Sequence, residues 1–144
     1  MWSPTPTMPT IACGYTTSYE YDRVGNLVKT INAMNGVSIV VYDADGNLIS
    51  ETNTDGATTT YTYDGLGRVL TMTDPVGAVT TTEYDANGNV VKLTQADGHS
   101  ITYTYNARNE LTSYVDAEGY THSFTYDGNG NKTSETNGNG NTTY

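Results

Sequence analysis

Between Ala57 and Asp64 the chain reads ATTTYTYD, and its apolar and polar positions alternate residue by residue. Tyr61 and Tyr63 fall on one face of an extended segment and Thr60 and Thr62 on the other, the period of a β-strand. A turn follows at once. In Asp64-Gly65-Leu66-Gly67 the aspartate is placed to accept backbone N–H groups, and glycine stands where a positive φ is needed. RVLTMTD then supplies a second strand, and Asp74-Pro75-Val76-Gly77 a second turn in which proline presets φ. Equivalent turns are read at Asp55-Gly56, Asp97-Gly98 and Glu118-Gly119. No apolar stripe has a helical period, and a glycine or turn pair arrives about every ten residues. The pattern predicts successive β-hairpins. Their inward face is expected to carry the recurring tyrosines with Leu27, Leu48, Val69, Val90 and Leu111.

The hairpins keep a strict beat. Tyr21, Tyr42, Tyr63, Tyr84, Tyr105 and Tyr126 are spaced by 21 residues, and Asp follows each except Tyr105, where Asn106 stands. Gly14, Gly56, Gly77, Gly98, Gly119 and Gly140 share a second register, with Asn35 holding that register in the first full copy and Gly36 one place late. Such self-similarity is the signature of a repeat architecture. Residues 11–144 are read as a repeat array of about six and a half copies, and residues 1–10 as a Pro/Thr-rich arm. Two strands per copy make roughly 13 strands, about 60 Å of sheet at about 4.8 Å per strand. A sheet that wide curls or packs on another.

The pattern Tyr-Asp-x-x-Gly-Asn-Leu-x-x-x-Thr-x-x-Asp-Gly-x-Thr-x-x-Tyr-x-Tyr-Asp resembles the YD repeat of the RHS (rearrangement hotspot) family from about Thr10 to Tyr144. The resemblance implies an all-β fold: a repetitive antiparallel β-hairpin strip that curls or spirals, and in large members forms a hollow shell around a toxic C-terminal domain. It also implies a bacterial protein, outside the cell or on its surface. The family's proline-rich, self-cleaving core segment has no counterpart here, since Asp74-Pro75 is an ordinary repeat turn.

Composition narrows the function. Only 35% of residues are hydrophobic and mean hydropathy is −0.52, too little for a thick core, whereas 13 Tyr and 27 Thr suit a half-buried sheet surface. A net charge of −10 with six basic residues argues against nucleic acid, whose phosphates need Lys and Arg. No run approaches the length of a membrane helix, and MWSPTPTMPT lacks the parts of a signal peptide. In the last copy Lys132, Thr133 and Glu135 replace apolar strand positions, as in a polar capping repeat. The arm is read either as a loose tail or as an anchor in which Trp2 grips a neighbouring subunit head-to-tail. Self-association through the sheet ends is the expected partnership, because strand edges invite pairing.

Candidate chemistry is sparse. Asp43-Ala44-Asp45-Gly46-Asn47, Asp85-Ala86-Asn87-Gly88-Asn89 and Asp127-Gly128-Asn129-Gly130-Asn131 open like calcium loops, but Thr54, Ala96 and Gly138 stand where the closing glutamate belongs. They are read as Asx turns, and no metal or other cofactor is expected. His99 and His122 are expected at the surface without a recurring carboxylate partner, and Ser100 beside His99 points to the opposite face. Cys13, the sole cysteine, is a small turn residue or a bridge between subunits. Asn131 and Asn141 open N-glycosylation sequons. The sequence therefore predicts a non-catalytic extracellular wall protein that assembles head-to-tail into a filament or tube. The alternatives are a fragment of a toxin-encapsulating shell and a cell-surface module binding carbohydrate on its tyrosines.

Overall fold

The structure, a computed structural model, describes residues 16–144. The expected arm with Trp2, and the positions Cys13 and Gly14, lie outside the described residues. Two compact units are divided after Gly77. Among the described residues the first unit holds β1 (Ser18–Tyr21), β2 (Leu27–Ile31), β3 (Val37–Tyr42), β4 (Leu48–Thr52), β5 (Thr58–Tyr63) and β6 (Val69–Thr73). The second holds β7 (Val79–Tyr84), β8 (Val90–Thr94), β9 (Ser100–Tyr105), β10 (Leu111–Val115), β11 (Thr121–Tyr126), β12 (Lys132–Thr136) and β13 (Thr142–Thr143). Within each unit consecutive strands pair antiparallel in chain order. The chain is the all-β repetitive hairpin strip that its alternation predicts. No helix occurs among the described residues, so none is long and apolar enough to cross a membrane.

Each repeat tyrosine ends its strand at a β-bulge. In the pairs Tyr21↔Leu27, Tyr42↔Leu48, Tyr63↔Val69, Tyr84↔Val90 and Tyr105↔Leu111 the register slips by one residue. Two residues of one strand then face one of its partner, which raises the local twist. The aliphatic residues predicted to share a face with the tyrosines are thus their direct cross-strand partners. In the last copy the partner of Tyr126 is Lys132. Its ammonium bonds Glu135 at 2.6 Å and lies 5.5 Å from the Phe124 ring centre, while its stem takes the place of an aliphatic side chain.

The register sorts the side chains into two faces. One face of the first unit carries Val40, Glu51 and Thr59 in a cross-strand row and the pair Tyr61–Met72. In the second unit the face equivalent by repeat register carries Leu93 opposite Ile101, and the row Tyr103, Tyr114 and His122. The other face is rich in hydroxyls, with Oγ1 contacts of 2.8 Å for Thr52–Thr58, 2.6 Å for Thr62–Thr71 and 2.9 Å for Thr136–Thr142. It also carries the ion pairs Lys29–Glu20 and Lys92–Glu83, and on β3 the exposed Val37, Ile39 and Val41. No described side chain is fully buried. A single pleated layer leaves both faces open, and half-burial by cross-strand neighbours is all that each residue gains.

Candidate functional site

The turns hold the densest polar chemistry. After each repeat tyrosine an Asp staples the loop: Asp43 Oδ1 accepts the N–H groups of Asp45 at 3.0 Å and Asn47 at 2.8 Å, and Oδ2 accepts the Asn47 side-chain amide at 2.9 Å. Asp22, Asp85 and Asp127 repeat this with Asn26, Asn89 and Asn131. At Asp64 the fourth residue on is Arg68, whose Nε and Nη2 each lie 2.6 Å from Oδ2. Where Asn106 replaces the aspartate the roles are exchanged: its amide donates to Glu110 Oε2 at 2.5 Å. Acid and amide have swapped places without loss of the bond.

These donors set the acidity of the loops. The side chains of Asn47, Arg68, Asn89 and Asn131, and the backbone N–H of Asn26, are the leading causes that hold Asp43, Asp64, Asp85, Asp127 and Asp22 below the usual carboxylate range. N–H groups reach both oxygens of Asp22, Asp43, Asp64, Asp85 and Asp127. The loops are Asx turns.

The alternate turns fall where the sequence reading placed them, and the staple is the first residue of the loop. Asn53 accepts the N–H groups of Asp55 at 2.9 Å and Ala57 at 3.0 Å. Asp116 accepts the Tyr120 N–H at 2.8 Å. A short carbonyl or carboxylate side chain reaches N–H groups two and four residues ahead, so the staple is the first residue of the loop. Asp97 differs and accepts from His99 at 3.0 Å. Gly56, Gly77, Gly98, Gly119 and Gly140 close these turns at φ between 81° and 88°, and Asn35 takes the same left-handed conformation at 63°.

Tyrosine hydroxyls tie neighbouring hairpins together. Tyr63 donates to the Leu48 carbonyl at 2.7 Å and Tyr126 to the Leu111 carbonyl at 2.8 Å, the same 15-residue reach in two copies. This link was not foreseen from sequence; a polar tip on every register tyrosine was its signal. Tyr61 donates to Glu51 Oε1 at 2.7 Å, and that carboxylate, with lesser help from desolvation, pushes its phenol up to about 12. Tyr21, Tyr42, Tyr84 and Tyr105 likewise end their strands.

Each histidine has a carboxylate partner, and the two pairs differ in spacing and exposure. His99 Nδ1 lies 3.1 Å from Asp97 on the exposed surface. His122 is half-buried: Nε2 lies 3.1 Å from Asp116 Oδ2, and its ring stacks on Tyr114 with centroids 4.4 Å apart and planes 3° apart. Tyr103 and Phe124 flank Tyr114 at 6.2 and 6.1 Å. The imidazole covers one side of the Tyr114 ring. Of the two sequons, the Asn131 amide is committed to Asp127 at 2.9 Å, whereas Asn141 bonds Asn137 through its backbone, its N–H donating to Oδ1 at 3.0 Å. No group of three or more His, Cys, Asp or Glu able to hold a metal occurs among the described residues.

Comparison with known proteins places this pattern. No curated protein matches the chain. Among solved structures it resembles a crystal structure of TcdB2-TccC3-TEV, with TM-score 0.57 and 20% identity over 85% of this chain and 9% of that chain. It also resembles a TcdB2-TccC3 crystal structure, with TM-score 0.53 and 20% identity over 89% of this chain and 10% of the other. A mutated Photorhabdus luminescens Tc holotoxin pore gives TM-score 0.52 and 20% identity over 85% and 9% of the two chains. The chain thus spans about a tenth of the length of these proteins. At that identity the likeness speaks for the fold alone. The RHS Repeat profile matches residues 42–79, 84–121 and 105–142, well over half of the sequence. The 21-residue Tyr-Asp beat, its bulged hairpins and this match agree: the chain belongs to the RHS repeat family.

Proposed function

We propose that this chain is a non-catalytic section of a wall, in a bacterial shell that is secreted or held at the cell surface. The observation that carries the reading is that no described side chain is fully buried in either unit. Folded chains bury apolar side chains against a second layer, and here that layer is missing from the described residues. Both units then gain from further RHS sheet, from contents on one face, or from other chains. The structural neighbours are themselves multi-component toxin assemblies, which supports assembly with other chains.

A second reading, self-assembly into a filament or tube, has its own support. Among the described residues β13 pairs only with β12, so its outer backbone groups are open to another strand. One pair of measurements separates the two. If the reading frame around this segment continues into further 21-residue Tyr-Asp repeats, the segment is shell wall. If the frame ends at the segment and electron microscopy of the purified chain shows polymers, the filament reading holds. Uniform monomers from a frame limited to this segment would overturn both.

A further inference from the structure

We propose that His122, Asp116 and Tyr114 form a pH-sensitive clamp that tightens the turn after β10 in mildly acidic conditions. The clamp occurs in one copy of the repeat. At the register of His122 the earlier copies carry Ile101, Thr80, Thr59 and Ser38, none of which titrates. The imidazole meets three elements of the second unit. Tyr114 of β10 stacks flat on it at 4.4 Å. Asp116, at the end of the same strand, bonds Nε2 at 3.1 Å with both side chains about four-fifths covered (relative exposures 21% and 22%). The turn after β12 closes over it, so that a Cβ on Gly138 would stand 3.2 Å from Nε2 and 2.5 Å from the Tyr120 Cβ. Only glycine lets that turn approach so closely.

Asp116 joins this pair to the backbone. Its Oδ1 accepts the Tyr120 N–H at 2.8 Å, its own N–H donates to the Tyr120 carbonyl at 2.9 Å, and its carbonyl accepts the Gly119 N–H at 3.0 Å. The carboxylate that holds the turn is therefore the one that holds the imidazole. A neutral imidazole offers Asp116 one hydrogen bond. Protonation makes that bond charge-assisted and sets a cation against the Tyr114 ring. The charged and titratable groups around it are Tyr114 from β10, Asp116 and Tyr120 from the turn after it, and Glu135 from β12, one pair along opposite Phe124. Asn137 and Asn139 from the last turn are neutral. Glu135 is itself bonded to the Lys132 ammonium at 2.6 Å. His99 lacks this environment, since it and Asp97 are about three-fifths exposed.

Hydrogen exchange of the full chain at pH 5.5 and pH 8.0, corrected for the intrinsic pH dependence of exchange, tests the clamp. The amides of Asp116, Gly119 and Tyr120 should exchange about three- to tenfold more slowly at pH 5.5 relative to those of Gly56 and Ala57 in the Asn53 turn. His122→Gln, which keeps a donor without the charge, should abolish the difference, and His99→Gln should leave it intact. An equal ratio at both pH values in the unmodified chain would overturn the proposal, as would a difference that survives in His122→Gln. The unmodified chain alone decides the first outcome even if the variant folds poorly.

Discussion

Tyr63→Phe removes one oxygen atom and keeps the ring, so it isolates the hydroxyl link between hairpins. In the native chain that hydroxyl donates to the Leu48 carbonyl at 2.7 Å in a partly buried position. Its loss leaves the carbonyl short of one donor, at a net cost of about 0.5–1.5 kcal/mol. With a urea slope of about 2 kcal/mol per M, the midpoint should fall by about 0.5 M, followed by far-UV circular dichroism. Tyr126→Phe, which breaks the equivalent 2.8 Å bond to Leu111, should give a loss of the same size in the second unit. The two bonds share no partner, so the double variant should show the sum within about 0.5 kcal/mol. Tyr144→Phe is the control, because that residue is 96% exposed. A Tyr63→Phe midpoint within about 0.1 M of the native value, with unchanged slope, would refute the claim that the hydroxyl stabilises the hairpin pair.

Further tests address the turns and faces. Gly138→Ala places a Cβ 2.5 Å from that of Tyr120 and should destabilise the chain by roughly 1–3 kcal/mol in thermal melts. Gly128→Ala, with no atom within 4 Å, should shift stability by less than about 0.5 kcal/mol. The Tyr61 phenol should titrate near 12 by its ultraviolet absorbance, and Glu51→Gln should bring it down towards 10.0. Because the folded pKa is raised, the stabilisation is complete below about 10 and lost as the pH climbs through the folded value. The stapling aspartates run the other way. Their depressed carboxyls stabilise the fold fully above about pH 4 and lose that contribution as the pH falls further, so circular dichroism should hold to about pH 4 and decline below it. Asp43→Asn, which keeps an oxygen acceptor without a titrating carboxyl, should blunt that acid limb. A decline equal to the native one would count against the staple.

Strand identity, turn spacing and family were legible because each depends on a few consecutive residues. The alternation in ATTTYTYD places side chains on two faces wherever the segment sits, and a 21-residue beat survives any packing. Glycine at the end of a tight turn is dictated by φ, and so the register could be read through Asn35. Which side chain staples each alternate turn was not legible, because several oxygens crowd the loop and only backbone geometry selects Asn53 and Asp116.

What the sequence determined by itself was local: which residues extend, which turn, and which aliphatic residues accompany each tyrosine. Only the tertiary structure decided the contacts beyond one segment. The reach of Tyr63 to Leu48 and the approach of Gly138 to Tyr120 join neighbouring hairpins. The exchange of acid and amide between Asn106 and Glu110 is local, yet it too shows only in the folded turn. The pairing of His122 with Asp116 is made within one hairpin. Six residues separate them in sequence, and the hairpin brings them to 3.1 Å because antiparallel pairing sets His122 opposite Tyr114, two residues before Asp116.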